Sequence, residues 1–286
     1  MTVMNIFINI TTEALKNLFW LTTGSMNVID EAKPIINMKS EFIYKRIMLT
    51  NAKKNYAGII IGELGKLLDK PAIDVKGLPI LKKTSVPAVL RKQFMDIVTN
   101  DILKAEKLNL KNIMNRYDEV ENNIRKDLLA GGTDYLLPKK VKLFDSYSKA
   151  DAIEAVRGII AWNALEPENQ IIPPEKLNIV KLNCPDKDDP RLLELKTTHP
   201  EKYKTIMKVV FNEGVANPKI DISRFGFDCL AIPKGVEKLP DYILPFIATE
   251  DMIKVNMTPS FILLKSLGIY VETIRSIDYK TNIIEI

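Results

Sequence analysis

The sequence predicts an α+β fold in which a small β-rich part is followed by a mainly helical one. Two observations carry this. From residue 41 to 81 the apolar residues come in aromatic and β-branched runs or alternate with polar ones, the patterns of strands. Beyond KKTSVP (82–87) they fall at helical spacing as far as about Leu129.

The elements follow in order. Thr12 to Leu21 (TEALKNLFWL) has Ala14, Leu15, Leu18, Phe19 and Leu21 at amphipathic spacing, with Thr11 or Thr12 as cap and TTGS as the break. EFIYKRIML (41–49) and NYAGIIIGEL (55–64) read as strands; AIDVKGLPIL (72–81) reads as a third, joined through a turn around Gly65 to Pro71. Ser85 is placed to cap the next helix, with Pro87 in its first turn. AGGTDYLLP (130–138) is a loop, and SKADAIEAVRGIIAWNAL (148–165) is a helix capped by Ser148. Prolines 167, 173, 174, 185, 190 and 200 make residues 166–200 mostly loop and short elements. From Lys202 onward short helices and strands mix, with DISRFGFDCLAIP (221–233) as a strand. There is no internal repeat or low-complexity segment. The natural cut lies between residues 85 and 100, dividing the chain into 1–90 and 91–286.

The chain has 286 residues, 46% of them hydrophobic, enough for a substantial core. Its formal charge of +5 is unevenly placed. Met38 to Gln93 holds twelve Lys or Arg against four acids, a local excess of +8, so the remainder is slightly acidic. Such a basic field suits a polyanion, nucleic acid or anionic lipid. Cys184 and Cys229 stand far apart and read as reduced, buried thiols of an intracellular protein. A single histidine, His199 at a helix entry or on the surface, removes histidine zinc sites and histidine-based triads. The N-terminal segment lacks a basic n-region and is too polar to span a bilayer, so no targeting signal or membrane is expected.

No self-sufficient active site stands out. G-x-x-x-x-G-K-[ST], G-x-G-x-x-G after a strand and G-x-S-x-G are all missing. CPDKDDPR (184–191) bunches three aspartates without the glycine and distal glutamate of a calcium loop, and reads as a solvated loop.

One ordered set of segments changes this picture. MKSEFIYKRIMLTNAKKNYAGIII (38–61) is followed by IDVKGLPILKKTSVP (73–87), then by YSKADAIEAVRGIIAWNAL (147–165), RFGFDCLAIPKG (224–235) and FILLKSLGI (261–269). Together they resemble the bacteriophage family B (polymerase alpha-like) DNA polymerases from just after the catalytic palm aspartates to the end of the thumb. The K-K-x-Y string is matched by Lys53, Lys54 and Tyr56, the K-G strand by Lys76 and Gly77, and the proline entering the thumb by Pro87. The family's D-x-x-S-L-Y-P, K-x-x-x-N-S-x-Y-G and Y-G-D-T-D-S motifs are absent. GGTDY (131–135) has one carboxylate where a two-metal site needs at least two. The resemblance therefore implies the last part of the palm (1–90) plus the thumb (91–286) of a naturally split or deliberately truncated nucleotidyltransferase, inactive alone. Exonuclease, fingers and catalytic aspartates would lie on another polypeptide. It implies no cofactor on this chain, and Mg²⁺ at the partner's aspartates.

The resemblance places Lys54 and Tyr56 at the primer end of primer–template DNA, with Lys53 in support. An i, i+2 relation in a strand would put Lys54 and Tyr56 on one face. Lys76, Gly77, Lys82, Lys83, Arg91 and Lys92 would extend a phosphate track, with ordinary surface charge as the alternative. Lys149 and Arg157 belong to the thumb helix, where Arg157 is equally placed for a structural salt bridge. Trp162 and Asn163 are expected to pack and cap, and Gly131 to Thr133 to form a plain turn. Contact would be sequence-independent and salt-sensitive. If the chain is one half of a split palm, Ile6, Phe7, Ile8, Leu18, Phe19 and Trp20 should bury against the other half. The alternatives are a non-catalytic duplex-binding or processivity module with a thumb-like fold, and plain solvated surface. The setting expected is intracellular, the infected host cytoplasm or a phage replication compartment. DYKTNIIEI at the C-terminus has no aromatic clamp motif, which leaves a sliding clamp as a partner without support.

Overall fold

The computed structural model describes Ala14 and residues 41–184, 186–215 and 218–269. The expected helix at 12–21, the apolar residues 6–8 and 18–20 and the C-terminal DYKTNIIEI lie outside the described residues, apart from Ala14.

Two three-stranded antiparallel sheets and a set of helices make an α+β fold. In the first sheet β1 (Phe42–Leu49), β2 (Tyr56–Glu63) and β3 (Lys66–Lys76) run in the order β1-β2-β3. β2 and β3 meet in a two-residue turn, Leu64 and Gly65, whose φ values of 50° and 79° are both left-handed. Such a turn matches the right-handed twist of the strands. β3 therefore starts earlier than expected and runs through Pro71. The proline is tolerated because the β2–β3 register shifts between Ile60 and Gly62, leaving the stretch around it out of the ladder. The strand expected at 72–81 stops at Lys76; Gly77 turns the chain and Pro79–Lys82 forms a short helix, α1.

α2 (Ala88–Asp96) has Pro87 itself as N-cap, so Ser85 does not cap it, and the chain continues in wider π winding over Ile97–Leu103. α3 (Leu110–Leu129) is capped by Asn109, whose side chain accepts from Asn112 N at 3.0 Å. Its buried stripe, Ile113, Met114, Tyr117, Val120, Ile124 and Leu128, recurs every three or four residues.

The mainly helical part contains the second sheet: β4 (Leu137–Val141), β5 (Glu175–Cys184) and β6 (Phe227–Ile232), in the order β4-β5-β6. Residues 166–200 are thus more regular than their prolines suggested. The prolines bracket β5 and open α5 (Pro190–Thr198) and α6 (Pro200–Val209), where a missing N–H costs nothing. His199 is the junction between these two helices, a helix entry as expected. α4 covers only Glu154–Leu165, behind a separate 3-10 turn at Ala150–Ala152, so Ser148 is not its cap. α4 lies on β6 at Gly158, where a Cβ would come 2.6 Å from Ala231 N. α7 (Thr249–Met257) packs on α3 and β5, α8 (Phe261–Ser266) lies beside Asn51 and Ala52 in the β1–β2 connection, and one buried cluster runs from Met48 in β1 to Leu264 in α8.

Candidate nucleic-acid interface

The K-K-x-Y string occupies the connection between β1 and β2. Thr50 and Asn55 close it: Thr50 N and Oγ1 both donate to Asn55 O (3.2 and 3.0 Å), and Asn55 N donates to Ala52 O (3.2 Å). Lys53 and Lys54 are exposed at its tip. Lys54 has a φ of 61°, so it belongs to a left-handed turn and not to the strand; the expected one-face, i, i+2 relation with Tyr56 does not hold.

The K-G strand lies directly beside this turn. Tyr56 opens β2 and pairs with Lys76, the last residue of β3. Gly77 follows with a φ of 70°, and any Cβ there would strike the Asn55 side chain and the Lys54 carbonyl. With its nitrogen toward the two carbonyls, the Asn55 amide donates to Gly77 O (2.8 Å) and Lys54 O (3.3 Å). Two motifs twenty residues apart thus form one braced corner. Lys82 and Lys83 are exposed at the end of α1, a few residues on. No ion pair with a described residue engages Lys53, Lys54, Lys76, Lys82 or Lys83.

The face of the sheet that carries Tyr56 has features the sequence did not announce. β1 bulges at Lys45, between the pairs Tyr44↔Ile60 and Arg46↔Ile59. Without that extra residue Tyr44 would share the core face of Met48. Turned outward, its ring crosses β2 over Gly58, where a Cβ would come 2.5 Å from the ring, and its hydroxyl donates to Asp74 Oδ2 on β3 at 2.7 Å. The Tyr44 and Tyr56 rings meet edge to face at 6.0 Å, with their hydroxyls 3.4 Å apart. Burial first, then the Tyr56 hydroxyl and the Asp74 carboxylate, push the Tyr44 phenol above the ordinary range. A glycine inside a β-branched run was the one available hint.

The remaining predicted residues lie elsewhere. Arg157 is 7% exposed, pairs both guanidinium arms with Asp228 (Nε–Oδ1 3.1 Å, Nη2–Oδ2 2.5 Å) and stacks on Phe225 with its carbon 3.9 Å from the ring centre. Its charge is used within the fold, the salt-bridge role weighed for it, and it is not displayed to a duplex. Lys149 is exposed just before the 3-10 turn that leads into α4. Trp162 donates to Asn169 O (2.7 Å), and Asn163 bonds both backbone groups of Ile171, so both hold the loop after α4. Gly132 closes against the Asp127 carboxylate, which accepts from the backbone N–H groups of Asp134 and Tyr135; the GGTDY segment is a braced turn. Asp189 of the acidic string caps α5 and pairs with Arg191 at 2.6 Å. Among the described residues no group of three or more His, Cys, Asp or Glu is gathered to hold a metal, and no helix is long and apolar enough to cross a membrane.

A search of curated proteins finds no match to the chain. The sequence model of a family described as Divergent Family B DNA polymerase, by contrast, matches residues 2–276, a span that takes in both sheets, the braced corner and every helix from α1 to α8. With the K-K-x-Y turn seated against the K-G strand inside that span, the chain belongs to the divergent family B DNA polymerases.

Proposed function

We propose that the chain is the end of the palm (1–90) and the thumb (91–286) of a bacteriophage-type, split family B DNA polymerase that grips primer–template DNA. The exonuclease, the fingers and the metal-binding aspartates would be supplied by another polypeptide. The observation that carries this reading is the braced corner: Asn55 ties the backbone of Lys54 to that of Gly77, and Tyr56 pairs with Lys76. Exposed lysines there can neutralise backbone phosphates and release counterions. The bracing matters because a small displacement of a primer end costs orders of magnitude in rate. Mg²⁺ belongs at the other polypeptide's aspartates, where it would activate the primer 3′-hydroxyl and stabilise departing pyrophosphate. This chain's own part is to hold the duplex.

Primer extension in Mg²⁺, after mixing with a chain that carries the missing aspartate motifs, tests the proposal. Lys54→Ala and Tyr56→Phe should each slow extension about tenfold or more at limiting DNA. Extension by both variants at the unaltered rate would refute the grip. A second reading is favoured by the absence of the D-x-x-S-L-Y-P and Y-G-D-T-D-S motifs from the sequence: a non-catalytic duplex-binding or processivity module. Tight, salt-dependent binding by the isolated chain, with no gain in extension on mixing, would favour it.

A further inference from the structure

We infer that Tyr44 is a positioning residue for Tyr56, leaving the Tyr56 oxygen free as an acceptor for an O–H or N–H donor of the primer-terminal base pair. This rests on the proposed grip and adds a direction to it. Asp74, as a carboxylate, can only accept, so the 2.7 Å contact consumes the single hydroxyl proton of Tyr44. The Tyr44 oxygen then meets the Tyr56 hydroxyl at 3.4 Å as an acceptor, and the Tyr56 proton points inward. What Tyr56 offers outward is lone pairs.

The arrangement is built across three strands. It needs the bulge at Lys45 to turn Tyr44 outward, Gly58 to let the ring cross β2, and Asp74 opposite Gly58 to receive it. Phosphate oxygens and the minor-groove N3 and O2 atoms are all acceptors, and an outward-facing lone pair gains nothing from them. On the minor-groove side of a primer end two donors remain: the 3′-hydroxyl, and the guanine amino group. Tyr56 would sense one of these, while the lysines take the phosphates.

The test titrates the full chain, at low ionic strength, with labelled primer–templates. The primer ends in a 3′-hydroxyl or a 3′-hydrogen, and the terminal pair is guanine·cytosine or inosine·cytosine, which lacks the amino group. The unaltered chain should lose about two- to tenfold in affinity on one of these deletions, the scale of one net hydrogen bond, and the deletion that matters identifies the donor. Tyr44→Phe, which keeps the ring over Gly58, and Tyr56→Phe should each bind all the primers alike with the salt dependence preserved. Equal affinity of the unaltered chain for every primer, with clear salt dependence, overturns the inference and leaves the grip standing. So does a Tyr44→Phe chain that still discriminates. Failure of the unaltered chain to bind any of them, both alone and after mixing with a chain that carries the missing aspartate motifs, overturns both. The comparison among primers is made on unaltered protein, so misfolding of a variant cannot hide the result.

Discussion

Substituting Gly77 with alanine probes the braced corner most directly. The residue has a φ of 70°, and its Cβ would overlap the Asn55 side chain and the Lys54 carbonyl. Two costs follow. The left-handed backbone alone disfavours a side chain by about 1–2 kcal/mol. Moving a backbone carbonyl and a hydrogen-bonded amide out of the way adds about 1–3 kcal/mol. Gly235 isolates the first cost, because its φ is 91° and no atom lies within 4 Å of its Cβ.

Urea denaturation of the two variants side by side therefore reads the overlap by difference. Gly235→Ala should fall short of the parent by about 1–2 kcal/mol, and Gly77→Ala by about 2–5 kcal/mol. The second effect is on binding. If the overlap displaces the turn at Lys54, a phosphate contact is lost, and the slope of log affinity against log salt should flatten by about one. Primer–template titration at several salt concentrations checks this, and Gly235→Ala should leave the slope unchanged. Equal destabilisation by both variants, with the salt slope intact in each, would refute the bracing argument.

Three further outcomes are expected. Arg157→Ala should cost about 3 kcal/mol in urea denaturation, because it strands Asp228 beside a buried gap, yet it should leave the salt slope of DNA binding unchanged. Gly158→Ala should destabilise by about 1–3 kcal/mol despite alanine's better helix propensity, because its Cβ meets the β6 backbone at 2.6 Å; a melting temperature at or above the parent's would contradict this. Arg191 holds the Asp189 carboxyl below its usual range, and at Glu166 the hydrogen bonds from Lys202 and Tyr242 do the same against the opposing effect of burial. A depressed folded pKa gives stability that is present above the unfolded value, near pH 4, and is lost as pH falls through the folded value. Melting temperature should thus decline below about pH 4, and less steeply in Glu166→Gln; an equally steep decline in that variant would dismiss the Glu166 contribution.

How much of this was legible in the sequence depended on the range of the interaction involved. β1 and β2 were readable because β-branched and aromatic runs report strand pairing locally, and α3 because its apolar period is long. β5 was hidden among prolines, which mark boundaries without saying which kind of element they bound. The caps at Ser85 and Ser148 failed for a related reason: a proline φ and a 3-10 turn start those helices instead, so the side-chain oxygens are not needed. Lys53, Lys54, Tyr56, Lys76 and Gly77 were named from an ordered motif, yet their contact depends on register. Tyr44 and Asp74 were out of reach, since nothing local reveals that a ring from β1 crosses a glycine in β2 to a carboxylate in β3.

Register also explains why the apolar run beside the lysines matters to the grip. Met48, Ala57, Ile59 and Val75 face the core, and Ile61 packs against it; Tyr44, Tyr56, Gly58, Asp74 and Lys76 take the other face. A slip of one residue in β2 would exchange the faces. Ile59, now 7% exposed, would go to solvent at about 1.5–3 kcal/mol, and the Tyr56 hydroxyl would enter the core without a partner at about 1–3 kcal/mol. Ile60, which shares the Tyr44 face, would move inward and offset part of the first cost, but Gly58 brings no apolar surface and the Tyr56 hydroxyl would still lack a partner. Ile59 and Ile61 thus do more than seat the strand. They set the register in which Tyr56 meets Lys76 and Gly58 lies under the Tyr44 ring, so a polar substitution at Ile59 should disturb the corner as well as the core.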